Sequence, residues 1–383
     1  MRLYDNNMKR IASLIGLSLV FIVGLAAKWD FGAFNLDLSP MDPLYKESRA
    51  YPFANNVTFR YLIAPKDNEY LPTDILVSDA SLNGGKGGYK RLSFKDPNVE
   101  NNTYWNLKAA VNIGVLRLSY LDSYALEAYI HGGLNTVFGA YGGVDVIGFD
   151  GQYGAGAAFS LRDILVFRFG FHHFSGHWGD ETIGDFYKKY ANASAYSGIT
   201  EYTRNNSWLF NLQYKPFEGF RILAEVELPM GKGWIRPGAH VPASTIKDTS
   251  EESPDYGKPL SDYIYSQEGL DGKTNSSYPA SYKGWRIGLG AELEYPIENV
   301  GYAYLAGDIE LHQDGKIDLE TLSYDDNRPW EMEYTIALGL ALETRQNLPD
   351  FTIELSYHDG RFPLLNYFFQ RSRYFSAGLA VTI

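Results

Sequence analysis

The chain has 383 residues, 45% of them hydrophobic and 21% charged, with a formal net charge of −12 and no cysteine. The length allows one large β domain or two ordinary domains. The acidic charge argues against nucleic acid as a partner, and the lack of cysteine excludes disulfides. The 30 Tyr, 22 Phe, 7 Trp and 38 Gly, at a mean hydropathy of -0.26, are typical of a transmembrane β-barrel, whose strands are apolar on one face only.

The N-terminus has the pattern of a secretory signal peptide. Lys9 and Arg10 precede an apolar run over 11–25, and small residues follow it. This run is shorter than a transmembrane helix needs, and the order of basic, apolar and small residues favours cleavage. The expected divisions of the chain are a signal peptide over 1–27, a periplasmic N-terminal segment over 28–53 and an outer-membrane β-barrel over 54–383.

Alternating apolar and polar residues predict about twelve strands. In 285–295, one face reads Trp, Ile, Leu, Ala, Leu, Tyr and the other Arg, Gly, Gly, Glu, Glu, which is the period of a strand. Residues 220–228 and 331–343 repeat this pattern. The remaining strands begin near Val57, Trp105, Leu126, Phe149, Leu165, Trp208, Ala303, Phe351 and Phe375.

Short and long connections alternate along the chain. The short ones are 118–123, 161–163, 215–219, 297–299 and 346–350. The long ones are 65–103, 138–146, 178–205, 230–283, 312–329 and 359–370. Short periplasmic turns and long extracellular loops are typical of outer-membrane barrels. The sequence therefore predicts an all-β protein, a transmembrane antiparallel β-barrel of about 12 strands in the outer membrane of a diderm bacterium.

The same alternation predicts which charged residues face the barrel interior. Their mixture of signs argues against a pore selective for one charge, and a barrel of this strand number is narrower than a porin. We expect a lumen filled by a hydrogen-bonded network, without a large open channel. The inward set is Lys108, Glu127, His131, Arg168, Arg221, Glu225, Glu227, Arg286, Glu292, Glu294, Asp308, Glu310, Glu354 and His358.

The last strand, over 374–383, carries apolar residues at alternate positions. It resembles the C-terminal signal that the barrel assembly machinery reads, with Ile383 where Phe or Trp is usual. The resemblance implies this machinery as a partner during biogenesis, and a lipid-facing barrel has outer-membrane lipid as its other partner.

The strand that begins at Leu165 continues into a dense set of titratable groups. His173, Ser175 and His177 share one strand face, and they face outward if Arg168 faces inward. Polar side chains on a lipid face are costly. A His and a Ser two residues apart are close enough for the imidazole to activate the hydroxyl as a nucleophile.

His173-Phe174-Ser175 resembles the His-x-Ser pair of outer-membrane phospholipase A and of lipid A 3-O-deacylase. In those families the pair lies on the outside of a barrel strand, and an Asn or Glu orients the His. This chain has Tyr187 where the third residue is expected, so Asn206, which shares the outward parity of Trp208, is the candidate. The resemblance implies hydrolysis of acyl esters of outer-membrane lipids, with Ser175 as nucleophile, His173 as general base and Asn206 as its orienter.

A longer resemblance covers residues 173–181, which are similar to the His-x-Ser-Ser-His-Leu-Gly-Asp-Glu signature of a family of exported bacterial proteins of unknown function. Gly176 and Trp178 depart from that signature. Residues 144–156 and 43–49 also look like the family, so the resemblance extends over roughly 40–383. It implies a fold and a compartment but no established activity.

Three other interpretations of this segment stay open. The polar residues could form a plain strand end at the membrane interface, or a bulge at Gly176 or Gly179 could turn part of the set inward. A metal site could use His177, Asp180 and Glu181, with His173 as a further ligand; histidines with carboxylates suit Zn²⁺, and carboxylates alone suit Ca²⁺. A Ca²⁺ ion there could stabilise a developing oxyanion.

The alternative function is a non-catalytic structural, binding or transport barrel with a narrow, charge-filled lumen. Its long loops, above all residues 230–283, would then bind a partner.

Overall fold

The computed structural model describes most of the chain beyond the N-terminus. The signal peptide expected over 1–27 lies outside the described residues apart from Ala27. No helix within the described part of the chain is long and apolar enough to cross a membrane. The described residues are 27–40, 42–66, 71–72, 74–79, 81–85, 88–93, 102–140, 144–179, 181–182, 198–230, 235–237, 285–313, 317–318, 323–324, 330–342 and 350–382.

Strands dominate the described residues, and the helical structure consists of short turns such as Leu82–Gly85 and Leu365–Tyr367. The strands are β1 (Ala27–Asp30), β2 (Phe34–Leu38), β3 (Val57–Ile63), β4 (Asp74–Asp79), β5 (Gly88–Ser93), β6 (Thr103–Tyr120), β7 (Tyr124–Ala140), β8 (Val144–Leu161), β9 (Leu165–Trp178), β10 (Gly198–Phe217), β11 (Phe220–Pro229), β12 (Ile235–Pro237), β13 (Arg286–Ile297), β14 (Gly301–His312), β15 (Ile317–Asp318), β16 (Ser323–Tyr324), β17 (Glu331–Leu342), β18 (Asp350–Arg361) and β19 (Arg371–Thr382).

Twelve antiparallel strands close into a barrel. Around the ring, the order is β3, β6, β7, β8, β9, β10, β11, β13, β14, β17, β18 and β19. The last strand pairs with β3, from Phe375 opposite Ile63 to Val381 opposite Val57, and this pairing closes the ring. Closure leaves no sheet edge exposed along this seam. The predicted fold class and strand number are confirmed.

Tight turns connect the strands at one end of the barrel, which we call the turn end. At two of them, consecutive residues take positive φ: Leu121 and Asp122 after β6, and Arg162 and Asp163 after β8. Such residues give a turn the twist that matches two antiparallel strands. The opposite end, the loop end, carries most of the longer connections. The expected long loop over 138–146 is wrong, because β7 and β8 stay paired up to Ala140 opposite Val144.

The outer face of the barrel is apolar at the height of the strand centres. Leu134, Leu289 and Leu338 are each more than half exposed there, although they are large and hydrophobic. Only a bilayer removes such a continuous belt from water. Aromatic residues border the belt near both ends, as membrane interfaces favour; they include Tyr120, Tyr124, Tyr295, Trp208, Trp285 and Tyr153.

The lumen holds the charges that the alternation predicted. The whole predicted set is buried or half-buried on the inner face. Arg60 bonds to Glu354 at 2.8 Å and Arg221 to Glu292 at 2.6 Å, so many inner charges are compensated in pairs. Desolvated charges need such partners.

The N-terminal segment, expected over 28–53, contacts the barrel first at the turn end and then inside the lumen. Strands β1 and β2 form a hairpin, and β2 pairs with the turn end of β6, from Phe34 opposite Tyr120 to Leu38 opposite Leu116. The chain then enters the lumen before it returns to the wall at β3. We call residues 43–54, which lie inside the barrel, the plug.

Contacts with inward side chains of several strands hold the plug. Arg168 on β9 bonds to Glu47 at 3.0 Å, and Arg49 bonds to Glu294 on β13 at 2.6 Å. The ammonium of Lys108 on β6 donates to the carbonyl of Pro52 at 2.9 Å. The plug thus supplies partners that the wall charges need, which explains why the segment lies in the lumen.

A second element covers the loop end of the barrel. Residues 362–370, which we call the lid, bury nearly all their side chains. Within one apolar cluster, Tyr367 of the lid packs edge-on against Trp178 of β9, with ring centroids 5.1 Å apart, and Phe53 of the plug belongs to the same cluster. Lid and plug therefore share one apolar cluster, and both occupy the described lumen.

Candidate functional site

Strand β9 carries the candidate site on its outer face. Burial alternates without a break from Val166 to Trp178, and the even-numbered residues are the buried ones. Arg168 points inward, where its side chain is buried, so His173, Ser175 and His177 point outward. The pairing of β9 with β8 stays regular up to Trp178, so no bulge at Gly176 turns these residues inward.

A β-bulge on the neighbouring strand β10 brings Asn206 to the site. Between the pairs Arg204–Phe174 and Ser207–His172, two residues of β10 lie opposite one residue of β9. Bulges of this kind redirect a side chain next to a functional site. The amide oxygen Oδ1 of Asn206 lies 3.1 Å from Nδ1 of His173, which makes the amide the acceptor of a ring N–H. The structure therefore brings together the two residues that the sequence analysis paired.

The hydroxyl of Ser175 contacts the other outward imidazole. Its Oγ lies 3.1 Å from Nε2 of His177. The base predicted from the sequence is His173, whose Nδ1 is bound to Asn206. The four side chains thus form two contacts on the outer face of the barrel. Asn206 of β10 contacts His173, and Ser175 contacts His177.

Aromatic rings of β8 flank both imidazoles. Tyr153 stacks on His173 with ring centroids 4.6 Å apart, and Phe149 stacks on His177 at 4.9 Å. Between them, Gly151 lies opposite Ser175 in the ladder. A Cβ atom at this glycine would lie 3.2 Å from Ser175 Oγ. The glycine leaves a notch beside the hydroxyl, open toward the outer face between two stacked pairs.

This notch lies just beyond the aromatic border of the apolar belt. Trp208 pairs with Phe171 in the ladder and stacks on Phe169, with ring centroids 5.2 Å apart. His173 follows Phe171 by two residues toward the loop end. An acyl chain in the belt and a polar headgroup above it would meet at this height.

The metal ligands that the sequence suggested are only partly described. Glu181 lies on the surface, while Asp180 is outside the described residues. Among the residues that the structure describes, no three His, Cys, Asp or Glu side chains are grouped to hold a metal ion. The described part of the site offers one carboxylate for a cation, that of Glu181.

Two features of the site were not predicted from the sequence, the glycine opposite Ser175 and the contact of Ser175 with His177. Gly151 is one of many glycines in the chain, and its position opposite Ser175 follows from the register of β8 and β9. The contact between Ser175 and His177 depends on side-chain rotamers. The second histidine of the segment was the available signal, because it shares the parity of the serine.

The chain is similar to known proteins in its fold and not in its sequence. No protein-family model matches the chain, so the resemblance to an exported family over roughly 40–383 stays a prediction. No curated protein matches it either.

The chain is similar to solved structures of outer-membrane barrels. The calcium-bound dimer of outer membrane phospholipase from Salmonella typhi is 9% identical, with 88% of this chain and 95% of that chain covered and a TM-score of 0.41. Outer membrane phospholipase A from Escherichia coli is also 9% identical, with the same coverage and a TM-score of 0.39. The NanC porin is 9% identical, with 85% and 100% covered and a TM-score of 0.37. The closed antiparallel barrel with an apolar outer face is shown by the pairing and exposure of this chain's own residues.

Proposed function

We propose that this barrel hydrolyses acyl esters of outer-membrane lipids, with Ser175 as the nucleophile. The observation that carries the proposal is the contact of 3.1 Å between Ser175 Oγ and His177 Nε2 on the outer face of β9. A hydroxyl needs a neighbouring base to become a nucleophile at neutral pH. A lipid ester can reach an outward site by lateral diffusion, without passing through the lumen.

The proposed reaction has two stages. Ser175 Oγ attacks the acyl carbonyl carbon while His177 Nε2 takes the hydroxyl proton, and the alcohol leaves with a proton returned by the imidazole. Water then attacks the acyl-serine by the same route and releases the fatty acid. The notch at Gly151 gives the carbonyl room beside the hydroxyl.

His173 and Asn206 form the second polar pair of the proposed site. The side-chain amide of Asn206 holds the ring of His173 through its Nδ1 atom. The other ring nitrogen of this imidazole is Nε2. The resemblance to the His-x-Ser hydrolases assigns the base to His173, whereas the contact at 3.1 Å favours His177. Separate replacement of the two imidazoles distinguishes these assignments.

The test is release of fatty acid from phospholipid and from lipid A by purified protein in detergent micelles. Wild type should release fatty acid, and Ser175→Ala should lose activity by roughly three orders of magnitude or more. Ser175 lies on the outer face, so the variant should still fold and migrate as a compact barrel on unboiled gels. Equal rates for the two proteins, or no release by either, would end the hydrolase proposal.

A non-catalytic barrel is the second candidate, and a lumen obstructed by plug and lid favours its structural form over a transport form. Plug and lid occupy the interior that a solute would cross. A binding role for the loop over 230–283 remains part of this alternative, and most of that loop is outside the described residues.

A further inference from the structure

A second outward polar group lies on the opposite side of the ring from β9, where β17, β18 and β19 run side by side. On β19 the even-numbered residues Ser372 and Tyr374 are buried. Arg371 and Arg373 therefore lie on the outer face, in line with Phe375, which is 61% exposed. Two arginines on a lipid-facing surface are costly unless an anionic group accompanies them.

The two guanidinium groups are held side by side by one carboxylate. Nε of Arg371 donates to Asp359 Oδ1 at 2.8 Å, and Nε of Arg373 donates to Oδ2 of the same group at 2.9 Å. Glu331 also lies 3.8 Å from Nη1 of Arg371. These carboxylates lie behind the cations, because their side chains are 8% and 18% exposed while those of the arginines are 36% and 41% exposed. The two carboxylates thus balance the two guanidinium groups, and the guanidinium groups form the more exposed side of this cluster, toward the membrane interface.

An apolar groove of about 400 Å³ begins next to these arginines on the outer face. Ala377 forms a low point of its wall, because its ladder neighbours are Tyr61 on one side and Leu355 on the other. Tyr357 and Phe375, whose ring centroids are 4.9 Å apart, lie between this low point and the arginines. Two residues of a strand span about 7 Å, so Phe375 in the groove wall lies about that far along the strand from Arg373, and the groove extends from there into the belt.

We propose that this surface binds a membrane phospholipid whose headgroup carries a net negative charge. The phosphate contacts Arg371 and Arg373, and one acyl chain lies in the groove over Ala377. Charge complementarity selects the headgroup, since paired guanidinium groups are suited to phosphate oxygens. The apolar walls of the groove accept any acyl chain of sufficient length. This site is separate from Ser175, and it does not depend on hydrolysis.

Native mass spectrometry of the detergent-solubilised protein tests the proposal, with phosphatidylglycerol and phosphatidylcholine of identical acyl chains as probes. Wild type should retain phosphatidylglycerol in preference to phosphatidylcholine. The double variant Arg371→Gln, Arg373→Gln should remove this preference. We expect each arginine to contribute about fivefold to the ratio of retained phosphatidylglycerol to retained phosphatidylcholine. Arg162→Gln, at the turn end, is the matched control and should keep it.

A second variant separates headgroup from chain recognition. Ala377→Leu fills the groove and should weaken retention of both lipids while the preference for phosphatidylglycerol persists. Ala291→Leu, at an exposed outward position of β13, is its control and should behave as wild type. Unboiled gel migration checks that each variant is folded. Equal retention of the two lipids by wild type, unchanged preference in the double arginine variant, or displacement of phosphatidylglycerol by inorganic phosphate alone would overturn the proposal.

Discussion

Arg168 on the barrel wall and Glu47 in the plug form a buried ion pair, with 3.0 Å between Nη2 and Oε1. The same guanidinium donates from Nε to Asn211 at 2.8 Å and lies over the ring of Tyr45 at 4.3 Å. One wall residue thus joins a residue of the neighbouring strand β10 and two plug residues. The pair links the strand that carries Ser175 on its outside to the segment that fills the lumen.

Replacement of this arginine should destabilise the barrel. Arg168→Met leaves the Glu47 carboxylate buried without its partner, which costs about 3–5 kcal/mol. The double variant Arg168→Met, Glu47→Gln should lose less, because no uncompensated charge remains. Urea unfolding in lipid vesicles, followed by tryptophan fluorescence, measures both. The exposed Arg162→Gln should unfold like wild type, and a loss of similar size there would contradict the assignment to the ion pair.

Planar-bilayer recordings test whether plug and lid close the lumen. Wild type should show little or no conductance. A variant with Gly/Ser linkers in place of both 43–54 and 362–370 should conduct steadily, because its lumen then holds only the wall side chains. Porin-sized conductance by wild type, or none by a folded double-linker variant, would contradict a lumen closed by these two segments.

The strand pattern made most of the wall predictable from sequence, whereas the contents of the lumen were not. Strict alternation placed residues such as Lys108 and Glu292 inside, since a strand's side chains alternate between faces. Residues 43–54 have no such period, and their place depends on charges such as Arg168 that are far away in sequence. The alternation of side chains along β10 predicted that Asn206 lies near His173. The β-bulge that brings the two side chains together could not be predicted from that alternation.

The two histidines should differ in their effect on hydrolysis. His177→Asn should reduce fatty-acid release nearly as much as Ser175→Ala, because it removes the group in contact with Oγ. Asn206→Ala should cause a smaller loss, since it frees the ring of His173 without removing it. Initial rates at saturating lipid measure these effects. If His173→Asn abolishes release and His177→Asn does not, the base is His173, as the His-x-Ser resemblance implies.

Access to the hydroxyl depends on the glycine opposite it. Gly151→Val places branched atoms beside Ser175 Oγ, where even a Cβ would lie at 3.2 Å. We expect release from long-chain lipids to fall at least about tenfold while the barrel stays folded. Ala157→Val, on the same outward face of β8, is the control and should retain activity. Equal losses in the two variants would argue against a specific notch.

Calcium dependence tests the carboxylates that follow the strand. If Asp180 and Glu181 bind Ca²⁺, a chelator should lower release, and added Ca²⁺ should restore it. The variant Asp180→Asn, Glu181→Gln should then have a low rate that Ca²⁺ does not change. A rate of fatty-acid release that neither the chelator nor added Ca²⁺ changes would contradict a role for the metal.

The most direct measurement for the central claim is covalent labelling of the folded barrel with a fluorophosphonate, which reacts with activated serine hydroxyls. Peptide mass spectrometry should place the adduct on Ser175 in wild type, since its Oγ contacts His177. Labelling should disappear in Ser175→Ala and fall strongly in His177→Asn, while unfolded wild type should not react. A folded wild type that stays unlabelled, or an adduct on any other serine, would contradict an activated nucleophile at this position.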